Sequence, residues 1–158
     1  MKKIGLCVVV SVLFASSSML SAMSSDFSGH EEKNTPLITA VEQDDSAWVA
    51  QLLARDNDTE VSDVCGRTPF LIAVAHGNLD ILDLLIQYGV SITAIDVLGN
   101  NALHIAVLNK QISLIPWLIK SGLDIHALNF QDQSPLRIAL EKGGGEVLEA
   151  LFPDINNP

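Results

Sequence analysis

Residues 68–89 read TPFLIAVAHGNLDILDLLIQYG, and they describe two short helices back to back. Thr68 followed by Pro69 is a start signal. Threonine caps the first turn, and proline at the first helical position gives up an N–H that would have no partner there. Gly77-Asn78 interrupts the pattern. Leu79, Ile81, Leu82, Leu85 and Ile86 then recur at helical spacing until Gly89 ends the run. Helices this short do not persist alone in water. Each therefore requires a neighbour to cover its apolar face.

The chain supplies the neighbours itself. TPLITA begins at Thr35, TPFLIA at Thr68, NALHIA at Asn101 and SPLRIA at Ser134, each 33 residues after the one before. An unbroken period of this length marks a unit that stacks on copies of itself. The turn stretches Asp63-Val64-Cys65-Gly66-Arg67 and Asp96-Val97-Leu98-Gly99-Asn100 and the corner Gly77-Asn78-Leu79-Asp80 recur with it. These words resemble the ankyrin repeat, with its T-P-L-H-x-A opening, D-x-x-G-x turn and G-H-L-E corner. The resemblance implies an all-α ankyrin-repeat solenoid of four helix–turn–helix units. Their expected bounds are 35–67, 68–100, 101–133 and 134–153, with a polar tail at 154–158.

The four units are not alike. In the first, Gln51 stands where the second has Leu84, Asp56 replaces the helix-ending Gly89, and Glu42, Gln43, Asp44 and Asp45 make the corner polar. A terminal unit needs a wet outer face, so this one reads as an N-terminal cap. Trp48, Val49, Leu52 and Leu53 still provide an apolar stripe. The third unit carries Pro116 inside its second helix, where proline removes a hydrogen bond. A helix capped by Ser113 and starting one turn late would place Pro116 in its first turn, where it is tolerated. In the fourth unit Gly143-Gly144-Gly145 spans the corner and Pro153 stops the last helix.

Ahead of the repeats, Lys2-Lys3 precedes an apolar run from Ile4 to Ala15, followed by small residues up to Ser24. That order is a secretory signal peptide of bacterial kind, residues 1–24, cut near Ala22-Met23-Ser24. It predicts a periplasmic protein with no membrane anchor after cleavage. Residues 25–34 read as an acidic, flexible linker. Removing Lys2 and Lys3 leaves 7 basic residues against 19 acidic, a net charge of −12. Such a surface repels nucleic acid and anionic lipid; it reads as simple solubility for an elongated protein, or as a match for a basic partner. With 48% hydrophobic residues the chain is not a disordered one.

Nothing in the sequence points to catalysis or to a cofactor. His30, His76, His104 and His126 match no metal-ligand spacing, and Cys65 has no neighbouring cysteine. There is no G-x-S-x-G and no phosphate-binding glycine loop. His104 occupies the T-P-L-H position, where the resemblance implies hydrogen bonds to the turn. Cys65, at the tip of the first turn, is the one cysteine left after leader removal. It reads as a tolerated free thiol, or as half of an intermolecular disulfide in an oxidising compartment.

The expected function is a non-enzymatic interaction module, a monomer that binds a folded protein partner. The partner could be an exported toxin enzyme held by an immunity protein, or a periplasmic enzyme that gains an accessory or protective subunit. The resemblance implies contacts at the turn tips and at the exposed ends of the first helices. At the tips these are Val64, Cys65 and Arg67, then Ile95, Val97, Leu98 and Asn100, then Leu128, Phe130, Gln131 and Gln133. From the helices come Glu42, Gln43, Ala75, His76, Leu108 and Asn109, with Tyr88 from a second helix. Turns that merely connect are polar. Five apolar residues on two successive turns, Ile95, Val97, Leu98, Leu128 and Phe130, mark a binding stripe instead.

Overall fold

The computed structural model describes residues 35–55 and 59–152, all within one compact unit, Asn34–Pro158. The expected leader, the linker, Asp56, Pro153 and the polar tail lie outside the described residues. Among the described residues the regular elements are helical, joined by one isolated antiparallel bridge between Ile95 and Asn101. In chain order they are α1 (Pro36–Glu42), α2 (Ser46–Arg55), α3 (Pro69–His76), α4 (Leu79–Gln87), α5 (Ala102–Leu108), α6 (Ile115–Lys120), α7 (Pro135–Ile138) and α8 (Gly145–Leu151). A π-helical turn, Ala139–Gly143, continues α7.

The first helices start as the sequence dictates. Thr68 accepts from the Leu71 N–H at 3.4 Å, Asn101 from the His104 N–H at 3.1 Å and Ser134 from the Arg137 N–H at 3.2 Å. Each bond satisfies one of the donors that a helix start leaves open. Thr35 makes no such cap, and its hydroxyl is buried without a partner. The corners then reverse the chain through left-handed residues at the same period: Asp44, Gly77 and Lys110 have φ of 60°, 77° and 56°. Each of the last two corners also clasps the preceding unit. Asn78 donates to the Asp44 carboxylate at 2.6 Å, and Gln111 to the Ala75 carbonyl at 2.8 Å.

The helices form two rows. First helices α1, α3, α5 and α7 pack each on the next; the second helices α2, α4 and α6 pack on the first helices of their own units, and α8 packs on the π-helical turn that continues α7. Between the rows lies one continuous core that includes Ile38, Val49, Leu53, Phe70, Leu71, Ile81, Leu85, Leu103, Leu118 and Leu151. Trp48 and Leu52 pack against it partly buried. In the second row, α2 packs on α4 and α6 on α8, while α4 and α6 lie less closely together. The cause is local. α6 begins only at Ile115, with Pro116 in its first turn, so three turn residues replace the helix start. Ser113 does not cap it; Leu114 stands at the cap without a side-chain bond.

Two further departures from the sequence pattern have physical reasons. Leu79, expected in the core stripe of the second helix, is the first residue of α4 and 51% exposed. Ile81, Leu82 and Leu85 carry that stripe instead. In the last unit the π-helical turn spends one extra residue, so the left-handed corner falls at Gly144 (φ 78°), one residue later than the period predicts. Leu140 consequently points outward where its counterparts Val74 and Val107 are buried. Three consecutive glycines at this corner make the shift tolerable. The last helix ends at Leu151.

Candidate interaction surface

The three turns that precede α3, α5 and α7 share one construction. Each closes with a backbone bond across the turn: Asp63 to Arg67, Asp96 to Asn100, and Asn129 to Gln133, each at 3.0 Å. The first residue of each accepts two backbone N–H groups inside the turn. Asp63 takes those of Cys65 and Arg67, Asp96 those of Leu98 and Asn100, and Asn129 those of Gln131 and Gln133, all at 2.8–3.0 Å. A carboxylate or amide oxygen at this position rigidifies a turn from within.

Successive turns are then bonded to one another. The Val97 N–H donates to the Cys65 carbonyl at 3.0 Å, and the Phe130 N–H to the Leu98 carbonyl at 2.9 Å. Glycine makes the approach possible. A Cβ on Gly66 would lie 3.0 Å from Val97 Cγ1, and one on Gly99 would lie 2.7 Å from the Phe130 ring. Side chains add a buried relay: Asn129 donates to Asn100 at 2.8 Å, and Asn100 donates to Asp96 at 3.0 Å. The turns are therefore a rigid, stacked edge.

Along that edge Val64, Val97 and Phe130 occupy one position of the period, with Ile95 and Leu128 beside the last two. All five are exposed, most of all Phe130 at 72%, Val64 at 66% and Leu128 at 63%. Ile95 and Leu128 are not packed away between turns. The structure also corrects the stripe. Leu98 is half-buried and is not the counterpart of Phe130; Val97 is. Asn100 does not belong to the surface at all. It is 4% exposed and its amide is consumed by the relay between turns.

The other candidates fall in different places. Arg67 is partly exposed, but its guanidinium is held by Asp63 at 2.7 Å and lies 4.0 Å from Glu42. Gln131 is exposed beside Phe130, and the half-buried Gln133 gives its carbonyl to His104. His76 ends α3 and Asn109 caps α5, both exposed, with Leu108 beside Asn109. These sit at the far end of the first helices, about 12 Å from the turns at 1.5 Å per residue. Tyr88 is exposed at the end of α4. Glu42 and Gln43 are exposed, whereas Ala75 is half-buried with its carbonyl taken by Gln111. The turn-tip residues thus form one edge, and the helix-end residues do not join it.

His104 has the structural role expected of it. It is buried, its Nε2 donates to the Gln133 carbonyl at 3.0 Å and its Nδ1 accepts from the Asn101 N–H at 3.3 Å. Burial pushes its pKa below the ordinary 6.5, against the opposing pull of the Gln133 bond. Among the described residues no three His, Cys, Asp or Glu side chains converge as metal ligands. His126 is exposed, and His30 lies outside the described residues. Cys65 corrects the sequence reading: it is disulfide-bonded and not a free thiol. The chain's second cysteine, Cys7, lies outside the described residues. No helix among the described residues is long and apolar enough to cross a membrane.

No curated protein matches the chain. The family comparison does match: a description of ankyrin repeats in three copies fits residues 9–96 and again residues 37–129. Ankyrin repeats are protein–protein interaction modules, typically without catalytic activity. The stacked helix pairs, the glycine-seated turns and this match over most of the sequence have one meaning: the chain belongs to the ankyrin repeat family.

Proposed function

We propose that this chain is an exported interaction module of four ankyrin units that grips a folded protein partner in the periplasm with the tips of its turns. The observation that carries this reading is the edge of exposed apolar side chains, Val64, Ile95, Val97, Leu128 and Phe130, on turns fixed by backbone bonds. A rigid edge loses little freedom on binding, and exposed apolar clusters mark interaction sites. The net charge of −10 favours a partner with basic surface. Export is supported by the leader's order of charge, apolar run and small residues.

The test separates binding from folding. Partners are captured from periplasmic extract on the mature protein, identified, and titrated against a Leu128→Ala, Phe130→Ala double variant. Stability should shift by only about 0.5 kcal/mol per exposed site, while loss of central anchors should weaken binding by roughly 2 kcal/mol or more. Normal binding by the folded double variant would move the contact surface to the helix ends, at His76 and Asn109.

A further inference from the structure

The corner between the two helices of a unit is built one way three times and another way the fourth time. In the first three units the left-handed residue, Asp44, Gly77 or Lys110, stands eight residues after the helix starts at Pro36, Pro69 or Ala102. The next N–H then closes the helix end on an alanine carbonyl: Asp45 on Ala40 at 3.1 Å, Asn78 on Ala73 at 3.3 Å and Gln111 on Ala106 at 2.9 Å. In the fourth unit the residue at the left-handed place is Gly143, which lies inside the π-helical turn, and the chain reverses at Gly144 instead. Gly144 holds φ 78° and ψ 176°, a backbone region open to glycine and to almost nothing else. Among the described residues its N–H makes no bond to Ala139, the alanine that completes the series. It also stands where Asn78 and Gln111 clasp the preceding unit, and it has no side chain with which to do so.

Glycine occupies more positions here than either corner requires. A left-handed residue in this chain need not be glycine: Asp44, Lys110 and Asp132, the last in register with Gly66 and Gly99, hold φ of 60°, 56° and 54°. A corner at Gly144 makes no demand on position 143, and a corner at Gly143 makes none on position 144. We propose that glycine at both lets the fourth unit pass between two registers: the π register described above, and an α register with its corner at Gly143 and the Gly144 N–H bonded to Ala139. Leu140 is the side chain that the passage moves. In the π register it is exposed; in the α register it takes the position filled elsewhere by Val41, Val74 and Val107, all buried. Two opposing terms hold the registers close in energy. Burial of an apolar side chain favours the α register. Leucine is one methylene larger than the valine of the other three units, and that excess in a closely packed position favours the π register. Loss of the extra residue turns the helix end by about 100°. The device adds one apolar side chain to the exposed ends of the first helices, or withdraws it.

The test follows the backbone amides of the full chain by nitrogen relaxation dispersion. The wild type should show microsecond-to-millisecond exchange confined to residues 139–145, with the amides of α5 unaffected. Three variants then separate the registers. Gly144→Asn cannot comfortably hold the backbone of the π register, and it restores the residue type that caps α4 at Asn78. It should fix the α register, quench the exchange and raise the melting temperature. Its amide at position 144 should be protected from hydrogen exchange about tenfold or more over the wild type. Leu140→Val removes the excess volume and should move the amide shifts of residues 139–145 in the same direction. Gly143→Ala disfavours the left-handed corner and should move them in the opposite direction, toward the π register. The proposal is overturned if the two glycine variants shift these amides the same way, or if the wild type shows no exchange there. A Gly144→Asn chain that melts below the wild type or fails to fold overturns it too, because a single π register is what that side chain would strain. So does a Leu140→Val chain whose corner is unchanged, since Leu140 would then have no part in the balance.

Discussion

The row of first helices is in contact from α1 to α7, whereas the row of second helices loosens between α4 and α6. The helix starts differ in parallel. In the first row Thr68, Asn101 and Ser134 cap with their side chains and Thr35 does not. In the second row Asp45 and Asn78 cap, and Leu114 and Gly144 do not. A residue in the first row must satisfy its own helix, two neighbouring units and a turn. A residue in the second row answers to fewer partners. The strict period therefore survives in the central units of the first row, and drift collects in the second row and in the terminal units, at Thr35 and at the π-helical turn after α7.

That contrast can be broken most directly in the first row. Leu103→Ala, at a fully buried position of α5, should cost about 2–5 kcal/mol, read from chemical denaturation. Leu79→Ala, at the half-exposed start of α4, should cost about 0.5 kcal/mol. Equal losses would mean that Leu79 is packed in the core rather than exposed at the helix start. A change at the turns ranks next. Gly99→Ala has to hold φ near 76° and displace the Phe130 ring, so it should cost roughly 1–3 kcal/mol. Its counterpart Asp132→Gly should be neutral or stabilising.

The smallest effect tests the bond by which His104 ties α5 to the next turn. Its pKa is lowered in the folded state, so folding favours the neutral ring. Stability from this group is full above the ordinary value of 6.5 and is lost as pH falls from there through the folded-state value. Thermal melts of the wild type and His104→Gln, compared across that window, should show a steeper acid loss in the wild type. Parallel curves would mean that the ring is free to protonate without disturbing the fold.

Much of the fold was legible because its signals were local and repeated. The four openings located every first helix, and Gly77, Asn78 and Gly89 ended or began helices where their chemistry required. What stayed hidden depended on neighbours one unit away. Asn100 looked like a turn-tip contact because nothing in its own unit shows that Asn129 will bury it. Leu98 was placed in the stripe with Phe130 by its turn alone, although the 33-residue period puts Val97 in register with Phe130. Leu140 was displaced by a π-helical turn whose extra residue leaves no mark in the composition. Cys65 was read as a tolerated free thiol because no cysteine stands near it in the sequence.

Because each turn is fastened to the one before it, at Val97 to Cys65 and Phe130 to Leu98, the interval between fastened residues is the same at every step. Duplication of the 33-residue stretch 68–100 would carry its turn bond, its glycine seat and its helix caps with it. Insertion of a single residue within a unit would put every downstream partner out of place together. Descent by gain or loss of whole units is therefore the path this architecture leaves open, and a lineage that lengthened its binding edge would do so one turn at a time.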